Sequence, residues 1–314
     1  MRPQKIVFAF RPRQKNMGGK MMRVDQLVEL LEQTLPTDKY KFSKITVPKP
    51  KQTEAVKTLM EECRGAVVIF HKSAAINLDA DTRAALKAVA AGICVDHLDF
   101  VVEPFETGFV DVNITASRAG EVDMRRNISG LRPGPETQVR HLRHHADPRL
   151  GAKTAGALDH MVPGYFGAAV HVTAANAFPT DMLLPDYDPK DVVGFLETLP
   201  SSNLHFCVRD PSVGLRFGVQ STKPFTKGFN AAAVGANVLV NRQVHDAEYY
   251  LGSDYPFLVD GFASDDVAEG LEKARAAFGT ATWQRGLDRM AGMLSQVSAP
   301  SVAKEFAEIV DIFR

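Results

Sequence analysis

The chain has 314 residues, 45% of them hydrophobic and 24% charged, which is enough apolar material for a sizeable core and about two domains. Lysine plus arginine equals aspartate plus glutamate at 37, so the basic surplus of a dedicated nucleic-acid binder is excluded. No apolar run approaches the roughly 18 residues of a membrane span. Peripheral membrane contact stays open. The three cysteines, Cys63, Cys94 and Cys207, are widely spaced and lie in or beside apolar segments. They read as buried, reduced thiols of a cytoplasmic protein and not as a disulfide framework or metal site.

Strand-like and helix-like segments alternate through most of the chain, the pattern of parallel sheets covered by helices. Ile6–Phe10 is a short apolar run followed by Arg11 and Arg13, too short for a signal peptide, and reads as a first strand. Gly18, Gly19 and Lys20 form a turn before a helix with Val24, Leu27, Val28, Leu31 and Leu35 on one face. Ala66–Phe70 reads as a strand buried on both sides. A helix through Thr82–Ala91 is expected to stop at Gly92, with strands at Ile93–Val95 and Val110–Thr115. Arg118–Leu158 is polar, arginine-rich and broken by Pro133, Pro135 and Pro148, and the first domain is expected to end at its close.

The alternation restarts at Met161. Asp188 is expected to cap a helix with Pro189 in its first position, and Leu204–Val208 to form a strand. A short helix over Lys227–Val234 closes at Gly235, and Val238–Val240 is a strand. Ser264 is placed as the cap of a helix bearing Val267, Leu271, Ala274 and Phe278. From Pro300, Val302, Phe306, Ile309 and Phe313 share one stripe. Two doubly wound halves follow: residues 1–158, residues 159–299, and a final helix over 300–314 packing back toward the first half.

Lys223-Pro224-Phe225-Thr226-Lys227-Gly228-Phe229-Asn230 runs from a loop into a helix. A helix start offers unpaired N–H groups and a positive dipole end, which favour an anion. Lys223, Thr226, Lys227 and Asn230 add two cations, a hydroxyl and an amide within one to two turns, a set suited to a diphosphate. An exposed helix start with two solvated lysines is the alternative.

The pattern Lys-Pro-x-Thr-Lys-x-x-Asn-Ala-x-Ala-x-Gly, followed by a strand and by Asp246-Ala247-Glu248-Tyr249-Tyr250, resembles the donor-binding region of GT-B glycosyltransferases. It is similar to the retaining family 4 type, with a lysine-rich variant of the motif. Asn230 stands where many such enzymes carry the second glutamate of a Glu-x7-Glu pair, and Thr222 where they carry the first. The resemblance implies two Rossmann-like domains facing a cleft and a sugar transferred from a nucleotide-diphosphate sugar to a hydroxyl acceptor. It implies no bound cofactor or metal. Gly164-Tyr165-Phe166-Gly167 resembles the first strand and loop of the donor domain, with Gly167 near the donor. Arg209 ends a strand where a cation meets phosphate, and Gly19 lies in the glycine-rich loop kept over the donor. Asp111–Ser117 resembles the last strand of the acceptor domain.

For proton handling, Asp96-His97-Leu98-Asp99 follows an apolar strand, at the end where α/β sheets place ligands. His97 with Asp99, or His71 after the preceding strand, are the candidates. His141, His144, His145 and Asp147 have metal-like spacing only on a helix, which Pro148 argues against, and so read as a strand end. Asp186-Tyr187-Asp188 matches a manganese-binding pattern by coincidence. A nucleotide-sugar epimerase of the same fold, or a catalytically silent binding protein, shares these expectations for the donor site.

Overall fold

The computed structural model describes residues 2–14, 18–49, 51–99, 108–130, 138–151, 154, 158–168, 172–188, 191–211 and 222–314. Pro189 lies outside them. The chain divides into two compact units. One comprises Met1–His144, Thr222–Pro224 and Ala299–Arg314, the other His145–Ser221 and Phe225–Ser298.

The first unit is built on six strands: β1 (Gln4–Phe10), β2 (Tyr40–Thr46), β3 (Val67–His71), β4 (Gly92–Leu98), β5 (Val112–Thr115) and β6 (Gln138–His141). They run in the order 2-1-3-4-5-6, and every neighbouring pair is parallel. Its helices are α1 (Gly18–Lys20), a π-helical stretch Met21–Gln26, α2 (Leu27–Thr34), α3 (Thr53–Cys63), α4 (Ala80–Val89) and α5 (Arg118–Gly130). Strand side chains alternate between two cores. Ile6, Phe8, Val67, Ile69 and Cys94 face Leu27, Leu31 and Phe306. Val7, Ala9, Val68, Phe70, Ile93 and Val95 face Leu59, Cys63 and Leu86. Burial on both faces is why β3 reads as an unbroken apolar run.

Two expectations for this unit change. The glycines at 18 and 19 are already helical, so the first helix starts before Val24 and not after a glycine turn. Helix α4 is capped by Asp79, whose side chain accepts from Thr82 N, and it ends at Val89. Gly92 opens β4 instead of closing α4. A Cβ there would lie 2.3 Å from the Phe313 ring, so the position demands glycine because the C-terminal segment packs on it.

Four further helices cover the second sheet from Val192 onward: α6 (Val192–Glu197), α7 (Thr226–Ala233), α8 (Ala247–Leu251) and α9 (Ser264–Ala277). Helices α10 (Ala281–Gln296) and α11 (Ala299–Val310) follow, and α11 belongs to the first unit. The second sheet contains β7 (Pro163–Gly164), β8 (Leu204–Phe206), β9 (Asn237–Asn241) and β10 (Leu258–Val259), in the order 10-9-8-7 and all parallel. Leu183 forms a further parallel bridge to Gly164. The cap of α6 is Asp191, accepting from Gly194 N, and not Asp188, whose carbonyl instead accepts from Asp191 N. Ser264 is the first residue of α9 and does not cap it; its hydroxyl bonds Asn176 Oδ1 at 2.6 Å. Gly235 closes α7 with φ +74°, the left-handed turn glycine tolerates.

Arg23, in the middle of the π-helical stretch, is fully buried, and its Nε donates to Asp96 Oδ2 at 2.8 Å. Its Nη1 donates to the carbonyls of Leu142 and Arg143, both at 3.2 Å, so one guanidinium joins the first helix, the end of β4 and the segment after β6. Removing one partner would leave an uncompensated buried charge. Arg23→Met should therefore lower the unfolding free energy by about 3–5 kcal/mol, read by urea denaturation. Adding Asp96→Leu should recover most of the loss; an unchanged midpoint in the single variant would contradict this role.

Candidate functional site

In an open parallel sheet, ligands bind outside the carboxyl ends of the strands where the winding reverses, because the two flanking loops diverge there. In the second unit the chain passes from β7 to Leu183 on one side and then to β8 on the other. The reversal therefore lies between β7 and β8, and the loops that open there are Tyr165–Gly167 and Cys207–Arg209. Helix α7 leads from this edge back to β9, so its N-terminus points to the same place.

Lys227, in the first turn of α7, holds its ammonium 3.9 Å from the centre of the Tyr165 ring, a cation–π contact. Gly167 lies directly against it: a Cβ there would sit 2.9 Å from Lys227 Nζ. The Tyr165 hydroxyl donates to the Ala168 carbonyl at 3.0 Å. Burial pushes its phenol up to about 12, against the opposing field of Arg209. Arg209 is fixed through its backbone: its N–H donates to Asn241 Oδ1 at 2.9 Å, and Asn241 Nδ2 donates to its carbonyl at 3.1 Å. Asn241 is fully buried, so this clamp is rigid. Gly228 is required by packing, since a Cβ would meet the Phe225 ring at 2.1 Å.

The structure thus brings Thr226, Lys227, Gly167 and Arg209 to one edge of one sheet. Asn230 is engaged in holding the fold, since its Oδ1 accepts from Asp147 N at 2.9 Å. With Lys227 it also borders a cavity lined by Phe166, Phe195, Phe206 and His205. Lys223 is sorted differently. Thr222–Pro224 pack with the first unit, where Thr222 N donates to Asp99 O at 3.1 Å and Ser117 Oγ donates to Thr222 O at 2.7 Å.

In the first unit the winding reverses between β1 and β3. Gly19 lies beside this edge in α1, where a Cβ would fall 2.9 Å from Leu98 Cδ2 and 3.6 Å from Lys72 Nζ. Lys72 and Leu98, which follow and end their strands, both adopt left-handed φ, at 51° and 57°. Such backbone is uncommon for non-glycine residues and clusters at functional sites. The Asp99 carboxylate pairs with Lys72 Nζ at 2.6 Å. His97 is oriented by an amide and not by Asp99: its Nε2 lies 2.8 Å from Asn113 Oδ1, which requires the proton on that nitrogen. Burial lowers its pKa. His71 is 2% exposed, its Nδ1 has no partner, and burial takes it down to about 4 with Asp96 opposing.

His141 ends β6, and no helix gathers His144 and His145 with it. Among the described residues no three His, Cys, Asp or Glu side chains are grouped to hold a metal, and no helix is long and apolar enough to cross a membrane. Asp186 and Asp188 lie exposed in an irregular segment. Arg23, Asn113 and Asn241 were not legible as site supports; an arginine inside an amphipathic helix pattern was the one available signal.

No family model matches this sequence, and no curated protein matches it either. Solved structures do match. A glycosyltransferase from Rickettsia africae superposes with a TM-score of 0.68 at 9% identity, over 100% of this chain and 99% of that one. Anabaena HepE in complex with UDP and glucose gives 0.61 at 13% identity, covering 98% and 99%. Sucrose-phosphate synthase from Thermosynechococcus elongatus gives 0.60 at 14% identity, covering 98% of each chain. The fold is that of the GT-B glycosyltransferases. In GT-B terms the two reversal points above are one in each Rossmann-like half.

Two measurements follow from this geometry. Gly167→Ala introduces a methyl whose nearest contact is the flexible end of Lys227. It should leave the melting temperature within a degree or so by calorimetry, and a larger drop would show that Lys227 cannot give way at this edge. The second concerns pH. His71, His141 and His205 are each depressed by burial to about 4, below the unfolded value of about 6.5. Between those values the unfolded chain binds more protons, so the stability present above pH ~6.5 is lost as pH falls toward 4. Calorimetric melting temperatures should decline across that window, and less steeply in His205→Gln.

Proposed function

We propose that this protein is a glycosyltransferase that moves a sugar from a nucleotide-diphosphate sugar to a hydroxyl acceptor. The observation that carries the reading is the cation set at the second unit's reversal point: Lys227 seated on Tyr165 against Gly167, with Arg209 clamped on the next strand. Transfer of a sugar leaves a nucleoside diphosphate bearing one more negative charge. Preorganised cations and N–H dipoles at that position stabilise the charge as it develops. Thr226 and the first turn of α7 supply the dipole. HepE, which shares the fold, is held in its crystals with UDP and glucose, and in another with UDP-glucose.

Donor and acceptor are the reactants this reading requires, with no separate cofactor; Lys227 and Arg209 provide the charge that a metal would otherwise supply. On the acceptor side, His71 is the preferred proton handler. Its Nδ1 has no partner, whereas His97 is engaged by Asn113 and Asp99 by Lys72. The neighbouring Asp96 favours its protonated form as a proton arrives. Asp99 would then act through Lys72, with which it pairs. Cytoplasmic action fits the cysteines, all three of which are unpaired and buried with raised pKa values.

Lys227→Ala should weaken UDP or GDP binding about tenfold, a loss of about 1.4 kcal/mol, with little change in melting temperature. Nucleotide release from UDP- and GDP-sugars should fall in parallel. Unchanged affinity for every nucleoside diphosphate would overturn the reading, and conversion of the sugar without nucleotide release would replace it with epimerisation.

A further inference from the structure

The chemistry that the first unit could recognise is written around the end of β1. Arg11 directly follows that strand, at the reversal between β1 and β3, and is only 7% exposed. Its Nη2 donates to the carbonyl of Ser73, just beyond β3, and its backbone N–H donates to Gln14 Oε1 at 2.7 Å. The guanidinium Nε has no partner, and no carboxylate pairs with Arg11 among the described residues. Burial lowers its pKa, and the exposed Arg13 adds to the effect instead of relieving it.

Three lysines of this edge have carboxylate partners. Lys20 and Lys44 share the carboxylate of Asp25, at 2.7 and 3.2 Å, and Lys72 pairs with Asp99. Arg23, deeper in the same unit, has Asp96. Arg11 is thus a buried guanidinium without the anion that such groups ordinarily require. At the end of the neighbouring strand stands His71, neutral and with an unpartnered Nδ1. A guanidinium fork with a second arginine nearby matches a phosphoryl group, which brings two charges and three acceptor oxygens.

We propose that the carboxyl ends of β1 and β3 hold a phosphoryl group of the acceptor substrate, with Arg11 as its principal partner and Arg13 as a supporting charge. The idea rests on the glycosyl-transfer reading, which makes the first unit the acceptor side. It narrows the acceptor to a phosphorylated hydroxyl compound.

The probe is inorganic phosphate, titrated calorimetrically into the full chain, with potassium chloride at matched ionic strength as control. Arg11→Gln should weaken phosphate at least tenfold and leave UDP affinity unchanged. Lys227→Ala should do the reverse. Arg13→Gln, at an exposed position, should weaken phosphate about threefold and supplies the test if Arg11→Gln does not fold. Phosphate affinity unaltered by either arginine variant, or lost only in Lys227→Ala, would overturn the proposal. Failure of UDP to bind while the arginine-dependent phosphate site remains would instead overturn the glycosyl-transfer reading and leave the anion site standing.

Discussion

The ion pair between Arg23 and Asp96 is the constraint on which the first unit is arranged. Both side chains are withdrawn from water, and the guanidinium also takes the carbonyls of Leu142 and Arg143. Desolvating the two charges is costly, so the pair contributes specificity more than raw stability. It admits one register for the first helix against the end of β4. The surrounding helix is π-helical over Met21–Gln26, a local widening that recurs where a helix serves a function beyond packing. Asp96 also accepts from Leu98 N at 3.2 Å, which ties the pair to the left-handed turn at the end of the strand.

That turn is where the chemistry-bearing residues of the first unit diverge. Successive side chains of β4 leave on opposite faces, so Asp96 meets Arg23 while His97 turns to Asn113. Asp99, past the strand, meets Lys72. A quartet that looks like one proton-handling group in sequence is thereby three separate interactions. Burial lowers the pKa of His71 and His97, which leaves the cations of the strand ends as the main charge of this edge. The second unit uses the same geometry with a different balance. There an aromatic ring and a glycine seat one lysine, and a buried asparagine fixes an arginine backbone.

Much of this was legible in the residues. The apolar runs of β1, β3, β4 and β9, the Gly235 stop and, to within one residue, the start of α7 at Thr226 were readable because each depends on neighbours a few positions away. Cap assignments were less secure. Asp188 followed by proline and Asp191 both suit a cap, and only the hydrogen bond to Gly194 N distinguishes them. Gly92 looked like a helix stop because its true reason is the Phe313 ring, from the far end of the chain.

The sequence by itself determined the α/β class, the alternation of elements and the cationic start of α7, since periodicity and local turn chemistry are written in adjacent residues. Tertiary structure alone decided which charges stand together. Arg23 and Asp96 are 73 positions apart, Ser117 and Thr222 are 105 apart, and the winding reversal at β7 depends on a single bridge from Leu183. The same holds for Lys223, which sits close to Thr226 in the chain yet belongs with the first unit. Such pairings follow from the order of strands in a sheet. A strand's neighbour is chosen by packing across the whole unit, and no local pattern records that choice.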